Sequence, residues 1–177
     1  NLLQGDLGVS IKTHNPVAED LARVFPASLE LTMTAVLFVI VVSLPFGIVS
    51  AVKRNRPIDH AVRIVSLVGL AAPAFWLAFL GLYIFYLRLG WVPGFGRLDI
   101  GMPEPARVTG LLAIDSLLQG DLETFSSAVK HLILPGLVLS ASGIGLLTRM
   151  VRSSMLNVLN EDYIRTARSK GLTERRV

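Results

Sequence analysis

Three stretches that contain no Asp, Glu, Lys or Arg constrain this chain more than anything else in it: Leu31 to Val52, Ile64 to Leu87 and Leu132 to Thr148. They are 22, 24 and 17 residues long, and as helices they would reach roughly 33, 36 and 26 Å against a hydrocarbon core of about 30 Å. The sequence therefore predicts an all-α fold, a polytopic transmembrane helical bundle with three spans. The third run is short and holds Gly136, Gly143 and Gly145, so it alone also reads as a buried core helix of a soluble protein. Arg149 at its end can extend to the interface. A composition that is 52% hydrophobic and only 17% charged agrees with spans rather than with a water-soluble domain of 177 residues.

Charge orients the spans. Residues 1–30 carry a net −2, 53–63 a net +3, 88–131 a net −1 and 149–177 a net +4. This alternation is what three spans require when the N-terminal side lies outside and positive loops stay in the cytoplasm. The expected organisation is one transmembrane domain over 1–177. It has an extracytoplasmic segment 1–26, a span 27–52, a cytoplasmic loop 53–63, a span 64–87, an extracytoplasmic connection 88–131, a span 132–157 and a cytoplasmic loop 158–177. A polar segment of about thirty residues outside the membrane needs an upstream element to carry it across, so a span before Asn1 is expected. TERRV at the far end reads as the opening of a further helix.

Within this frame the prolines and small residues stand out. A short amphipathic stretch, Val17 to Phe25, is expected to end at Pro26. Pro45, Pro73 and Pro135 fall one in each span and are candidate hinges or pathway positions, because proline removes a backbone donor and kinks a helix. Gly69, Ala71, Ala72, Ala74 and Ala78 suit either a pathway-lining segment or a tightly packed bundle helix. The basic KRNRP connection, Lys53 to Pro57, is read as a topology determinant in preference to a lipid or partner contact. Thr109 to Phe125 reads as one or two amphipathic helices. LLQGDL occurs at Leu2–Leu7 and Leu117–Leu122, as a coincidence or as two similar helix ends.

The chain has no cysteine, and His14, His60 and His131 lack ligand spacing, so no metal site or cofactor is expected. No phosphate-cradling loop, nucleophile elbow or paired carboxylates within a span point to catalysis. No ionisable group sits within the charge-free runs, where an ion-coupled carrier usually keeps one. The energy for transport would then have to come from another protein.

The stretch Asn160 to Thr173, NEDYIRTARSKGLT, marks where such a protein could dock. Asn160 can cap a helix whose first turn carries Glu161 and Asp162, and Gly171 sits where helices stop in a left-handed conformation. Tyr163, Ala167 and Gly171 share an i, i+4 row with Ile164 beside it, flanked by Arg165, Arg168 and Lys170. The competing reading is a basic helix held on anionic lipid.

EDYIRTARSKGLTERRV resembles the cytoplasmic loop of the inner-membrane permease subunits of bacterial ABC importers of the dipeptide, oligopeptide and nickel group. The general pattern there is Glu-Ala-Ala, three residues, then Gly. Ala167 and Gly171 match it, whereas Arg165 and Thr166 replace the glutamate and first alanine, as in the DYIRTARAKGL form of the peptide and nickel branch. GDLGVSIKTHNPV, FPASLELT, LPFGIVSAVKRNRPID, PAFWLAFL, WVPGFGR, TGLLAIDSLLQGD and HLILPGLVL are similar to the same group in the same order. The resemblance implies six spans per subunit, of which this chain would hold the second to fourth. It also implies a translocation subunit without catalytic residues of its own. The implied partners are a second homologous permease, two cytoplasmic ATPases, an extracytoplasmic solute-binding protein and the lipid bilayer of the bacterial inner membrane, with no nucleic acid. In such a system Glu161 to Lys170 is the helix that couples to the ATPase, with Tyr163 and Ile164 as apolar anchors, Ala167 and Gly171 permitting close approach, and Arg165 and Arg168 pairing. The alternative is a segment of an ion-coupled secondary transporter or channel.

Overall fold

The computed structural model describes residues 7–171 and 173. It contains α1 (Val17–Val52), α2 (Pro57–Ala71) and α3 (Ala74–Gly81), the last continued by a π-helical segment Leu82–Arg88. Then come α4 (Leu112–Leu118), α5 (Leu122–Leu159) and α6 (Asp162–Ser169). Among the described residues the only strand-like pairing is an isolated bridge between Val9 and Pro16. The first LLQGDL copy (except Leu7) and TERRV after Thr173 lie outside the described residues.

Two helices, α1 and α5, are long and apolar enough to cross a membrane. The second apolar run is not one straight helix: Pro57–Ala71 and Ala74–Arg88 are bent by 111° at their break. Proline geometry accounts for the break. Ala72, ahead of Pro73, is driven to an extended backbone (φ −75°, ψ 132°) and closes α2 by donating its N–H to Val68 O. The Pro73 carbonyl then accepts the N–H groups of Trp76 and Leu77, which starts α3.

At Pro45 and Pro135, by contrast, α1 and α5 run on without a break. Leu134, just ahead of Pro135, is buried with its Cδ1 against Gly81, so packing holds the preceding residue in place. Nor does Pro26 end the amphipathic stretch, since α1 continues through it. Having no N–H, Pro26 cannot bond the Ala22 carbonyl four residues back; Arg107 donates to that carbonyl instead. The third span and the end of the amphipathic connection are likewise a single helix, α5, which starts at Leu122 rather than at residue 132. Asp121 sets that start, accepting from both the N–H and the hydroxyl of Thr124 at 3.0 and 2.6 Å.

The helices contribute to two compact units. The first comprises Asn1–Ala35 and Ala78–Gly136, and carboxylates organise it. Glu30, only 7% exposed, accepts from Arg97 Nη2 at 2.8 Å and from the Ala113 N–H, in the first turn of α4, at 2.7 Å. Asp115 collects the loop before α4: the N–H groups of Val108, Thr109 and Gly110 at 3.2, 2.7 and 2.9 Å, and the Thr109 hydroxyl at 2.7 Å. After the π-helical segment, Tyr86 meets Phe95 edge-on and Phe85 packs on Trp91, folding WVPGFG back on the aromatic helix end.

The second unit comprises Val36–Leu77 and Leu137–Val177. Here Ser43, Ser50, Ser66, Ser140 and Thr148 are buried, while Val36, Leu37, Ile40, Val41, Ile64, Val65 and Leu146 are exposed. A small, polar interior with large apolar groups outside is the arrangement that suits helices packing within lipid. Glycine makes it possible where α2 meets α5: a Cβ on Gly69 would lie 2.7 Å from the Ala141 carbonyl oxygen, and one on Gly145 would strike that of Ser66. The Ser43 hydroxyl bonds Ile144 O across from α1.

Burial alone pushes the Asp115 carboxyl up, but the Thr109 hydroxyl and the amides of Thr109, Gly110 and Val108 outweigh it and hold the group below its ordinary 3.8. Its contribution to stability is thus fully present above that value and is lost only as pH falls below it, through the lowered folded pKa. Amide hydrogen exchange is expected to show Val108, Thr109 and Gly110 protected at pH 5–7 and opening in that acid range. Asp115→Asn should lose the protection at neutral pH, at a cost of about 1–3 kcal/mol. Equal protection in the variant would remove Asp115 from this role.

Candidate coupling site

The helix singled out from the sequence is α6, eight residues long, joined to α5 by Asn160 and Glu161 alone. Asn160 does not cap it. Its Nδ2 donates back to Leu156 O at 2.8 Å and finishes α5, and the N-cap position falls on Glu161, in an extended conformation without a side-chain cap bond. Glu161 contributes its carbonyl, which accepts from Ile164 and Arg165. At the other end Lys170 N–H bonds Thr166 O, and Gly171 turns left-handed at φ 77°, a region costly for a residue with a Cβ.

The side chains sort cleanly. Ile164 is 5% exposed, so it holds α6 on its own chain and is not free to anchor a partner. Tyr163 is 60% exposed. Asp162, Arg165, Arg168 and Lys170 are exposed and Ala167 is half-buried. Arg165 and Asp162 approach to 3.6 Å, but both lie open to solvent, where such a pair adds little stability. Nothing lies within 4 Å of where a Cβ on Gly171 would stand. The outward surface is thus a tyrosine, an alanine and a glycine among cations.

What supports this helix was not visible in the sequence. In the same unit Asp59, in the first turn of α2, is completely buried. Its carboxylate accepts Arg152 Nε at 2.9 Å and Nη2 at 3.0 Å, the Ser50 hydroxyl at 2.5 Å and the Asn55 N–H at 3.0 Å. Asn55 reaches it by adopting φ 61° within the KRNRP turn. One side chain therefore ties the end of α1, the turn, the start of α2 and α5 together, ten residues before α6. Asp59 and Arg152 are 93 residues apart, so no local pattern in the sequence marks this pair. Of the proposed hinge positions, Pro73 alone lies at a break; Pro45 and Pro135 lie inside continuous helices. Among the described residues no group of His, Cys, Asp and Glu could hold a metal ion.

A family model described as "Binding-protein-dependent transport system inner membrane component" matches residues 43–177. The chain is 49% identical, over 97% of its length and 51% of the relative's, to "Probable D,D-dipeptide transport system permease protein DdpB" of Escherichia coli K12. It is 44% identical to "Di/tripeptide transport system permease protein DppB" of Pseudomonas aeruginosa, over all of this chain and 52% of that one. To "Dipeptide transport system permease protein DppB" of Alkalihalophilus pseudofirmus it is 42% identical, over 97% and 51%. The chain spans about half the length of the curated relatives it matches.

Removing one partner of a buried, hydrogen-bonded ion pair leaves an uncompensated charge, typically at about 3–5 kcal/mol. Asp59→Asn and Arg152→Gln are each expected to lower the thermal midpoint of the protein in detergent. The double variant should lose much less than the sum of the two. Additive losses in this cycle would show that the two groups act independently.

Proposed function

Because this chain belongs to the binding-protein-dependent transport system inner membrane component family, we propose that it forms part of the translocation subunit of an ATP-driven importer of dipeptides and short peptides. The substrate class rests on the dipeptide systems named for its relatives. In this reading the subunit pairs with a second homologous permease, receives peptide from an extracytoplasmic binding protein and is driven by two cytoplasmic ATPases. It has no catalytic residues of its own. The residue 1 side lies outside and the residue 177 side in the cytoplasm, with α1, the bent α2–α3 pair and α5 as the spans.

The observation that carries the reading is α6. A short helix exposing Tyr163, Arg165, Arg168 and Lys170, pinned to its own chain by Ile164, is built to receive force rather than to be buried. A two-residue link to α5 leaves little slack, so a push on α6 moves α5 with it. We assign ATPase contact to Asp162, Tyr163, Arg165, Ala167, Arg168, Lys170 and Gly171. Glu161 and Ile164 position the helix. Exposed arginines steer an acidic partner surface, and Tyr163 supplies the apolar anchor.

In the intact importer Ala167→Glu places a charge where the partner helix groove would close, and Gly171→Asp forces a side chain into a left-handed position. Each should cut uptake of a labelled dipeptide by about tenfold or more and weaken ATPase copurification. Permease abundance in the membrane should stay unchanged. Wild-type uptake in both variants would remove α6 from the coupling role.

A further inference from the structure

A second site lies in the unit that carries α6, between α2 and α5. It is a cavity of about 320 Å³ whose lining includes Val62, Arg63, Ser66, Thr148, Arg149 and Arg152. Two facts about its polar groups stand out. First, the hydroxyls of Ser66 and Thr148 are buried and have no hydrogen-bond partner among the described residues, the two residues being 8% and 2% exposed. Serine and threonine in a helix commonly satisfy the hydroxyl by donating to the carbonyl four residues back, as Thr32, Thr34, Ser116 and Thr166 do here. These two do not, and a buried unmade hydrogen bond is costly.

Second, the charged groups at the cavity are cations. Asp59 is already saturated by Arg152, Ser50 and the Asn55 amide. Arg63 leans on it only at 3.6 Å and otherwise meets His60 Nδ1 at 2.7 Å. Arg149 makes no ion pair among the described residues and is exposed. Two unbonded hydroxyls and guanidinium groups form a set of donors, and what such a set takes is an oxyanion with several acceptor oxygens.

We propose that this cavity binds the phosphate of an anionic glycerophospholipid from the bilayer leaflet on the side of residues 53–63. The same donors would suit free inorganic phosphate. What favours the lipid is the apolar surface beside the cavity: Ile64, Val65 and Leu67 on α2 and Leu146 and Met150 on α5 are all more than half exposed. Acyl chains can lie there while the headgroup enters the donor set, the arrangement expected of a basic pocket between helices near the membrane surface. The proposal is independent of the transport reading, since it needs only that these helices lie in a membrane.

Thermal unfolding and native mass spectrometry of the intact permease test it, in micelles doped with phosphatidylglycerol or with phosphatidylcholine. Phosphatidylglycerol should raise the midpoint by roughly 5 °C and remain bound in the gas phase, while phosphatidylcholine does neither. Without lipid, Ser66→Ala should raise the midpoint, because it deletes an unbonded hydroxyl. Combined with Thr148→Val it should abolish the phosphatidylglycerol shift, as should Arg149→Gln at an exposed position where folding is not at risk. Lys53→Gln with Arg54→Gln, outside the cavity on the same side, should keep the shift. Three results would each overturn the proposal: equal shifts by the two lipids, an equal loss in the Lys53 and Arg54 variant, or the full shift from 10 mM inorganic phosphate alone. The last would assign the cavity to a free anion.

Discussion

A carboxylate cannot remain charged away from water without donors and a counter-charge around it, and the unit of this protein that carries α6 is arranged to meet that demand at Asp59. Two donors from Arg152, one from Ser50 and one from the Asn55 backbone surround a side chain with no exposure at all. Satisfying them fixes where α1 ends, how the basic turn is folded, where α2 begins and which face of α5 turns inward. The glycine crossing of α2 and α5 at Gly69 and Gly145 then brings backbone against backbone, with no side chain between. Van der Waals contact and buried hydrogen bonds thus hold helices together where apolar side chains gain nothing by leaving lipid.

The other unit uses the same currency differently. Glu30, Asp115 and Asp121 each accept at least one backbone amide at or just before the start of a helix, alongside a side-chain donor. Such bonds satisfy donors that helix ends leave open. The long connection 88–131 is therefore an ordered structure built on carboxylates rather than a loose loop, even though it contains only one short helix wholly its own.

How far the sequence revealed this depended on how local the determining interaction is. The apolar runs announced α1 and α5, and the polar stretch after them announced α6, because charge and helix signals act over a few residues. Helix ends were less legible. Pro26 looked like a stop, yet Arg107 takes over the Ala22 carbonyl that the proline leaves free, 85 residues along the chain from Ala22. Pro73 did break its helix because Ala72 yields to the extended conformation, whereas Leu134 is packed against Gly81 and does not yield at Pro135. Asp59 and Arg152 are 93 residues apart, and no pattern within either segment announces the other. Ile164 looked like a partner's anchor because periodicity identifies an apolar face without saying which surface covers it.

Along α5, Gly145 must face the Ser66 backbone and, seven residues later, Arg152 must face Asp59. Seven residues make nearly two full turns, so both point to the same side. Inserting or deleting one residue between them would rotate one relative to the other by about 100°, and the glycine crossing and the ion pair could not both survive. This stretch of α5 should therefore accept substitutions far more readily than changes in length, and divergence within it should proceed at constant residue count.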